Sequence, residues 1–256
     1  MIPRSARASS FALAASVTRA ASAVLRARAP GGAVRWERTN HAGRTVGLYA
    51  GAAAAAGSAL ASFRVHRGAG AAVLAAGLCG AYDDVVGAGD PRRGFRAHLG
   101  ALRHGEVTSG AVKLFGITAA GLAAGALLKE RPVDRVLAAT VVAGTAHLVN
   151  LVDVRPGRAA GLVLALGAPR VLRPGAEGEL SAAVTGAAVT VLPGDLGERA
   201  MLGDTGAHAL GAALGAAVAV GSGRAALVLH SAGLVAAAVY GERVSVFART
   251  FGAAER

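Results

Sequence analysis

The sequence predicts an all-α fold: a polytopic integral membrane helical bundle of about nine apolar helices, with active-site loops on the cytoplasmic face. Three observations carry that prediction. Of 256 residues, 54% are hydrophobic and only 16% charged, with a mean hydropathy of +0.49; these values lie outside the range of ordinary soluble domains. Apolar stretches recur along the chain, separated by brief polar loops. Short acidic motifs sit where those stretches run out, and a carboxylate at the end of a membrane helix is costly without a cation, a metal or water beside it.

Residues 1–30 carry Arg4, Arg7, Arg19, Arg26 and Arg28 around an Ala-rich stretch, with no acid before Glu37. Because further spans follow directly, this segment reads as a poor first membrane helix, with a targeting segment as the alternative. Apolar stretches then occupy 45–62, 68–82, 109–128, 134–152, 159–172, 180–193, 205–221 and 224–241. Several are shorter than the ~20 residues that cross a bilayer. The stretches 159–172 and 180–193 stay open between half-buried helices and spans shielded by neighbours. Ala and Gly supply much of the apolar content, so the helices are expected to pack closely. Within 94–104, Phe95, Leu99 and Leu102 recur at helical spacing opposite a basic face, which predicts a short interfacial helix. No Pro/Ser-rich linker interrupts the chain, so residues 1–256 read as a single integral membrane domain. The lone Cys79 excludes an intrachain disulfide and reads as a small core residue.

The formal net charge is +12, yet the arginines lie in short inter-helix loops and no aromatic-basic module accompanies them. Nucleic acid is therefore not an expected partner; anionic lipid head groups or a diphosphate substrate account for the charge. Counting from an outside N-terminus puts the loops 33–44, 83–108, 153–158, 194–204 and 242–256 on one side. Those loops hold most of the loop arginines and all the acidic motifs. By the positive-inside rule that side is cytoplasmic, in a multi-pass protein of the cell membrane.

Asp83 and Asp84 end the apolar run through Tyr82. Two adjacent carboxylates do not both stay ionised cheaply without a nearby cation. A hard divalent ion, Mg²⁺ above all, would relieve the repulsion and also hold substrate phosphates; a hydrated helix end paired with Arg92 or Arg93 is the plainer alternative. Asp153 follows Asn150 at i, i+3 spacing, which places amide and carboxylate on one helix face, with a salt bridge to Arg155 or Arg158 as its plain reading. Asp204 precedes a long small-residue helix and reads equally as an N-cap. Lys113 lies inside an apolar segment and needs an anionic partner or a route to snorkel. His147 and His208 fall near these motifs, where packing and hydrogen bonding compete with support of a metal ligand.

Together, Asp83-Asp84, Lys113-Leu114-Phe115-Gly116, Asn150-x-x-Asp153 and Met201-Leu202-Gly203-Asp204-Thr205-Gly206 resemble the polyprenyl-phosphate N-acetylhexosamine-1-phosphate transferase superfamily, which includes the phospho-N-acetylmuramoyl-pentapeptide transferase type (glycosyltransferase family 4 type). The resemblance covers about residues 35–210 and extends to the segment Arg38-Thr39-Asn40-His41-Ala42-Gly43-Arg44. It implies a Mg²⁺-dependent enzyme that moves a sugar-1-phosphate from a UDP-sugar to a polyprenyl phosphate, releases UMP and serves cell-envelope glycan synthesis. By motif, Asp204 and Asp83 would be metal ligands, and Asp83, Asp84 and Asp153 catalytic. Asn150, Lys113 and Asn40 would bind substrate, with Lys113 meeting a phosphate as a point charge. A homodimer is left open.

The chain also departs from the family pattern. Gly87 stands where the family usually has a lysine after its aspartate pair, and Val154-Arg155-Pro156-Gly157-Arg158 replaces a glycine-rich segment with a further aspartate. The histidine-rich nucleotide loop is missing, the sequence ending soon after Glu242-Arg243-Val244-Ser245. A non-catalytic relative that binds a lipid carrier or acts as a scaffold is therefore the leading alternative. A small transporter is the third, although no inverted repeat accompanies it.

Overall fold

The computed structural model describes residues 4–87, 92 and 95–250. In chain order the elements are α1 (Arg4–Arg28), β1 (Glu37–Thr39), β2 (Thr45–Gly47), α2 (Tyr49–Val65), α3 (Arg67–Val86), α4 (Phe95–Arg103), α5 (Ser109–Leu128), α6 (Pro132–Val152), α7 (Arg158–Gly167), α8 (Gly175–Leu196), α9 (Gly203–Gly221), α10 (Arg224–Val239) and α11 (Gly241–Thr250). Among the described residues the regular structure is helical except for one feature absent from the sequence reading. β1 and β2 form an antiparallel hairpin with Arg38 opposite Val46. It is fixed to the bundle by Trp36, whose ring stacks on Tyr49 with centroids 5.0 Å apart.

The expected count of about nine apolar membrane helices is not confirmed. Among the described residues four helices are long and apolar enough to cross a bilayer: Ser5–Arg28, Arg67–Val86, Ser109–Leu128 and Pro132–Val152. A fifth arises if α10 and α11, bent by 83° at their junction, are taken as one broken span. α2 has 17 residues and α7 only 10, short of the ~20 that a bilayer requires. α8 has the length but carries Glu177, Glu179 and Asp195.

α9 is the axis of the bundle, packed by α2, α3, α6 and α8, and nearly every residue from Gly203 to Ala219 is buried. Small residues make this possible. A methyl at Gly211 or Gly215 would meet the α6 backbone at Ala146 or Val142, 2.6 and 2.8 Å away, so helix backbones touch where side chains usually intervene. The larger apolar side chains face outward, with Leu78 62% and Leu229 73% exposed, while the interior is mostly Ala, Gly and Val. That distribution suits a surface solvated by lipid, where large apolar groups gain nothing by hiding from water.

α1 belongs to the bundle: Ser10, Ala14 and Thr18 are fully buried, and the helix packs on α2 and α8. Within the segment 94–104, where an interfacial helix is expected, the structure has a helix, α4, which begins at Phe95 and packs on α5. At the end of the bundle away from the acidic motifs, connections are closed by ion pairs and by a lysine–carbonyl hydrogen bond. Arg224 donates to Asp134 at 2.6 and 3.1 Å, Arg170 donates to Glu177 at 2.7 Å, and Lys129 donates to the Ser222 carbonyl at 2.9 Å.

Candidate functional site

Three helices bring the chain's distant charges to one point. The last turn of α3 carries Asp83, the first turn of α9 carries Asp204, and Lys113 of α5 donates from its single ammonium to both, Asp83 Oδ2 and Asp204 Oδ2. The three side chains are 16–26% exposed, so the cluster is open to one side rather than sealed. In such surroundings a cation between two carboxylates is strongly favoured over either charge alone. Ser109, one turn before Lys113 on the same face of α5, lies near Asp83, since a methyl at Gly87 would meet both side chains.

Asp84 has a different task. Its Oδ1 accepts from the Asp204 N–H at 3.0 Å, and its Oδ2 accepts from the Thr205 N–H at 2.9 Å and the Thr205 hydroxyl at 2.6 Å. The N-cap role that the sequence suggested for Asp204 is thus filled from another helix, by Asp84, at the N-terminal end of α9 where the dipole favours negative charge. Asp204 is thereby released to face Lys113. This explains the local sequence Gly203-Asp204-Thr205-Gly206. Gly203 adopts φ +59°, and a Cβ there would lie 3.0 Å from both Asp84 oxygens, so a side chain would be strained and would crowd the cap. Gly206 faces Gly51 of α2, whose Cα lies 2.6 Å from where a methyl would project.

Gly87 follows the same logic. A Cβ there would meet Asp83 Oδ1 and, at 2.6 Å, the Ser109 hydroxyl. Residue 87 therefore lies against Asp83, and the cation beside that carboxylate comes from α5.

The β1–β2 hairpin lies across this end of the bundle. Arg38 donates to the Asp84 backbone carbonyl, and the Met201 N–H donates to the Gly47 carbonyl at 3.0 Å. Asn40 accepts the Ala42 and Arg44 N–H groups at Oδ1, both at 2.9 Å, and donates from Nδ2 to Glu198 at 2.6 Å. Arg44 pairs with the same Glu198. The amide of Asn40 is thus engaged in shaping the hairpin turn and tying it to the α8–α9 connection.

Between hairpin and bundle is a cleft of about 200 Å³ whose lining includes Asn40, His41, Asp153, Asp195, Glu198 and Met201. Asp153 lies just beyond the C-terminal end of α6, the helix that carries Asn150. Desolvation, reinforced by the like charges of Asp195, Asp204 and Asp84, holds its carboxyl well above the ordinary carboxylate range. Asn150 is not among the residues lining the cleft, so the i, i+3 spacing does not bring amide and carboxylate to one surface there. Asp195, buried in the last turn of α8, accepts the Gly157 N–H at 2.8 Å and braces the segment that follows Asp153. Asp195 and Glu198 were missed in the sequence; the only signal was an acid at the end of the 180–193 stretch.

His208 is buried on α9, where its Nδ1 donates to the Asp204 carbonyl at 2.7 Å. It supports the backbone of Asp204 rather than presenting a free nitrogen pair. Arg92 pairs with Glu106 at 2.6 Å, while Arg93 lies outside the described residues. Among the described residues no group of three or more His, Cys, Asp or Glu side chains is gathered to hold a metal ion; the acidic pair Asp83 and Asp204 shares a lysine instead. Scans against protein-family models and curated proteins find no match for this chain.

Proposed function

We propose that the protein is a Mg²⁺-dependent glycosyl-1-phosphate transferase, moving a sugar-1-phosphate from a UDP-sugar to a polyprenyl phosphate at the cytoplasmic face of the cell membrane. The observation that carries this reading is the convergence of Asp83, Lys113 and Asp204 from three helices; Asp153 and Asn40 line a separate cleft under the hairpin. In the reaction an oxygen of the lipid phosphate forms a bond to the sugar-bearing phosphorus. The bond from that phosphorus to the bridging oxygen breaks, and its electron pair leaves with UMP.

The donor set fits Mg²⁺, which commonly takes one or two carboxylates and completes its shell with water and substrate phosphates. Asp83 and Asp204 already direct one oxygen each at a shared positive charge. When bound, the ion would neutralise charge on the diphosphate as it reacts. Lys113 would contact a phosphate as a mobile point charge. Asp84 would act indirectly, by fixing the first turn of α9 and so the position of Asp204. Asp153 would face the nucleotide from the cleft, with Asn150 behind it on α6, and Asn40 would shape the cleft's outer wall.

One observation favours a second reading, a non-catalytic lipid-carrier-binding or scaffold protein: Lys113 satisfies both carboxylates from within the chain, as a purely structural ion cluster would. The discriminating experiment is UMP release from a panel of UDP-sugars by purified protein with polyprenyl phosphate and Mg²⁺. The transferase reading expects release that requires metal and lipid phosphate and is lost in Asp204→Asn. No release from folded protein, with an active transferase as control, would replace it with the second reading.

A further inference from the structure

The shared ammonium has a consequence for metal uptake, which rests on the transferase reading but is measured without it. Asp83 and Asp204 belong to helices that are far apart in sequence, and Lys113 is the group that reaches both. Its setting is built in: Ser109 lies on the same face of α5, one turn before it, and Gly87 leaves the space that the Ser109 hydroxyl and the Asp83 carboxylate share. A divalent ion entering between the two carboxylates meets a resident positive charge within hydrogen-bonding distance of each. At such separations, in partly buried surroundings, two positive charges repel strongly.

We infer that Lys113 is an internal counter-ion that keeps the affinity of the acidic pair for a divalent cation low until an anionic phosphate draws the ammonium away. Metal and phosphate would then bind cooperatively, each favouring the other through the lysine. The chain thereby selects a metal–diphosphate pair over free metal, because only the pair supplies a new partner for Lys113.

The test is direct titration of purified protein with Mn²⁺ alone, followed by electron paramagnetic resonance of the free ion and by calorimetry, without nucleotide or lipid. Lys113→Gln is expected to bind Mn²⁺ at least about tenfold more tightly than the wild type, since the repulsion removed exceeds the free energy of one decade. Lys113→Arg, which keeps the charge, is expected to stay weak. Adding Asp204→Asn to Lys113→Gln should abolish the gain, locating the ion at this pair. If Lys113→Gln folds, as judged by monodispersity and melting, and binds Mn²⁺ no more tightly than the wild type, the inference is overturned. Should Lys113→Gln be unfolded, the arm with inorganic diphosphate decides. Wild-type protein must bind Mn²⁺ at least about tenfold more tightly with diphosphate than the ion's binding to diphosphate in solution accounts for, and Lys113→Arg less so; an equal affinity overturns the inference. A positive result with no UMP release from any UDP-sugar would sink the transferase reading while leaving the counter-ion role intact.

Discussion

The two ends of the bundle treat charge differently. At one end each carboxylate is held by arginines alone: Asp134 by Arg224, and Glu177 by Arg170 and, at 3.9 Å, Arg173. These pairs join neighbouring helix termini, and none of these cations is divided between two carboxylates. At the other end one lysine serves two carboxylates, Asp84 is spent on the N-terminus of α9, and Asp153 faces further carboxylates across a cleft. The first arrangement closes loops. The second gathers carboxylates from several helices at one end of the bundle, a pattern common where function opposes stability.

Substitutions can sharpen that contrast, and the largest effect belongs to Asp84. Asp84→Ala removes three hydrogen bonds from the first turn of α9 and should destabilise the fold by about 3 kcal/mol, combining a lost cap with lost charged hydrogen bonds. Denaturation in detergent micelles measures it, and a loss below about 1 kcal/mol would remove Asp84 from the structural role. Next is Gly206→Ala, whose methyl would press on the Gly51 backbone at 2.6 Å. Overpacking of that kind costs roughly 1–3 kcal/mol, seen as a lower melting temperature without loss of helicity.

A smaller, pH-dependent effect is expected at Asp153. Its folded-state carboxyl is held above the ordinary range by desolvation and like charges, so the folded protein binds the proton more tightly than the unfolded chain. Its contribution is most favourable at low pH and declines as pH rises above about 4 toward the raised value. Melting curves of the wild type and Asp153→Asn should therefore diverge in the variant's favour as pH rises through that window. Parallel curves would contradict the assignment. The smallest effect is Arg224→Gln at the opposite end, where the pair is solvent-facing; melting temperature and UMP release should both stay at wild-type values.

Much of the helical framework is legible in the sequence, because stretches of Ala, Gly, Val and Leu without charge must be helical in a bilayer. The stretch 109–128 matches α5 at both ends. The ends bearing charge are less legible. α3 runs through Asp83 and Asp84 to Val86, since α5 and α9 supply the partners that let the helix continue. α8 begins at Gly175 and ends at Leu196, not 180–193, because Arg170 pairs with Glu177 and Gly157 donates to Asp195. Such partners come from remote positions and leave no local trace. The hairpin is invisible for a related reason: its strands have three residues each, too few to show alternation, and they depend on Trp36, Glu198 and Met201. At the site, the meeting of Asp83, Lys113 and Asp204 follows from motifs that the sequence singled out. The division of labour between Asp83 and Asp84 does not, because adjacent carboxylates look alike until a helix N-terminus claims one of them.

The most direct test of the account measures melting temperature and Mg²⁺-dependent UMP release on the same preparations of wild type, Asp204→Asn and Arg224→Gln. The account predicts that Asp204→Asn still unfolds cooperatively from a folded state, since Lys113 keeps Asp83 as a partner, yet releases no UMP, while Arg224→Gln matches the wild type in both. UMP release by Asp204→Asn at the wild-type rate would contradict the claim that this carboxylate serves chemistry rather than the fold.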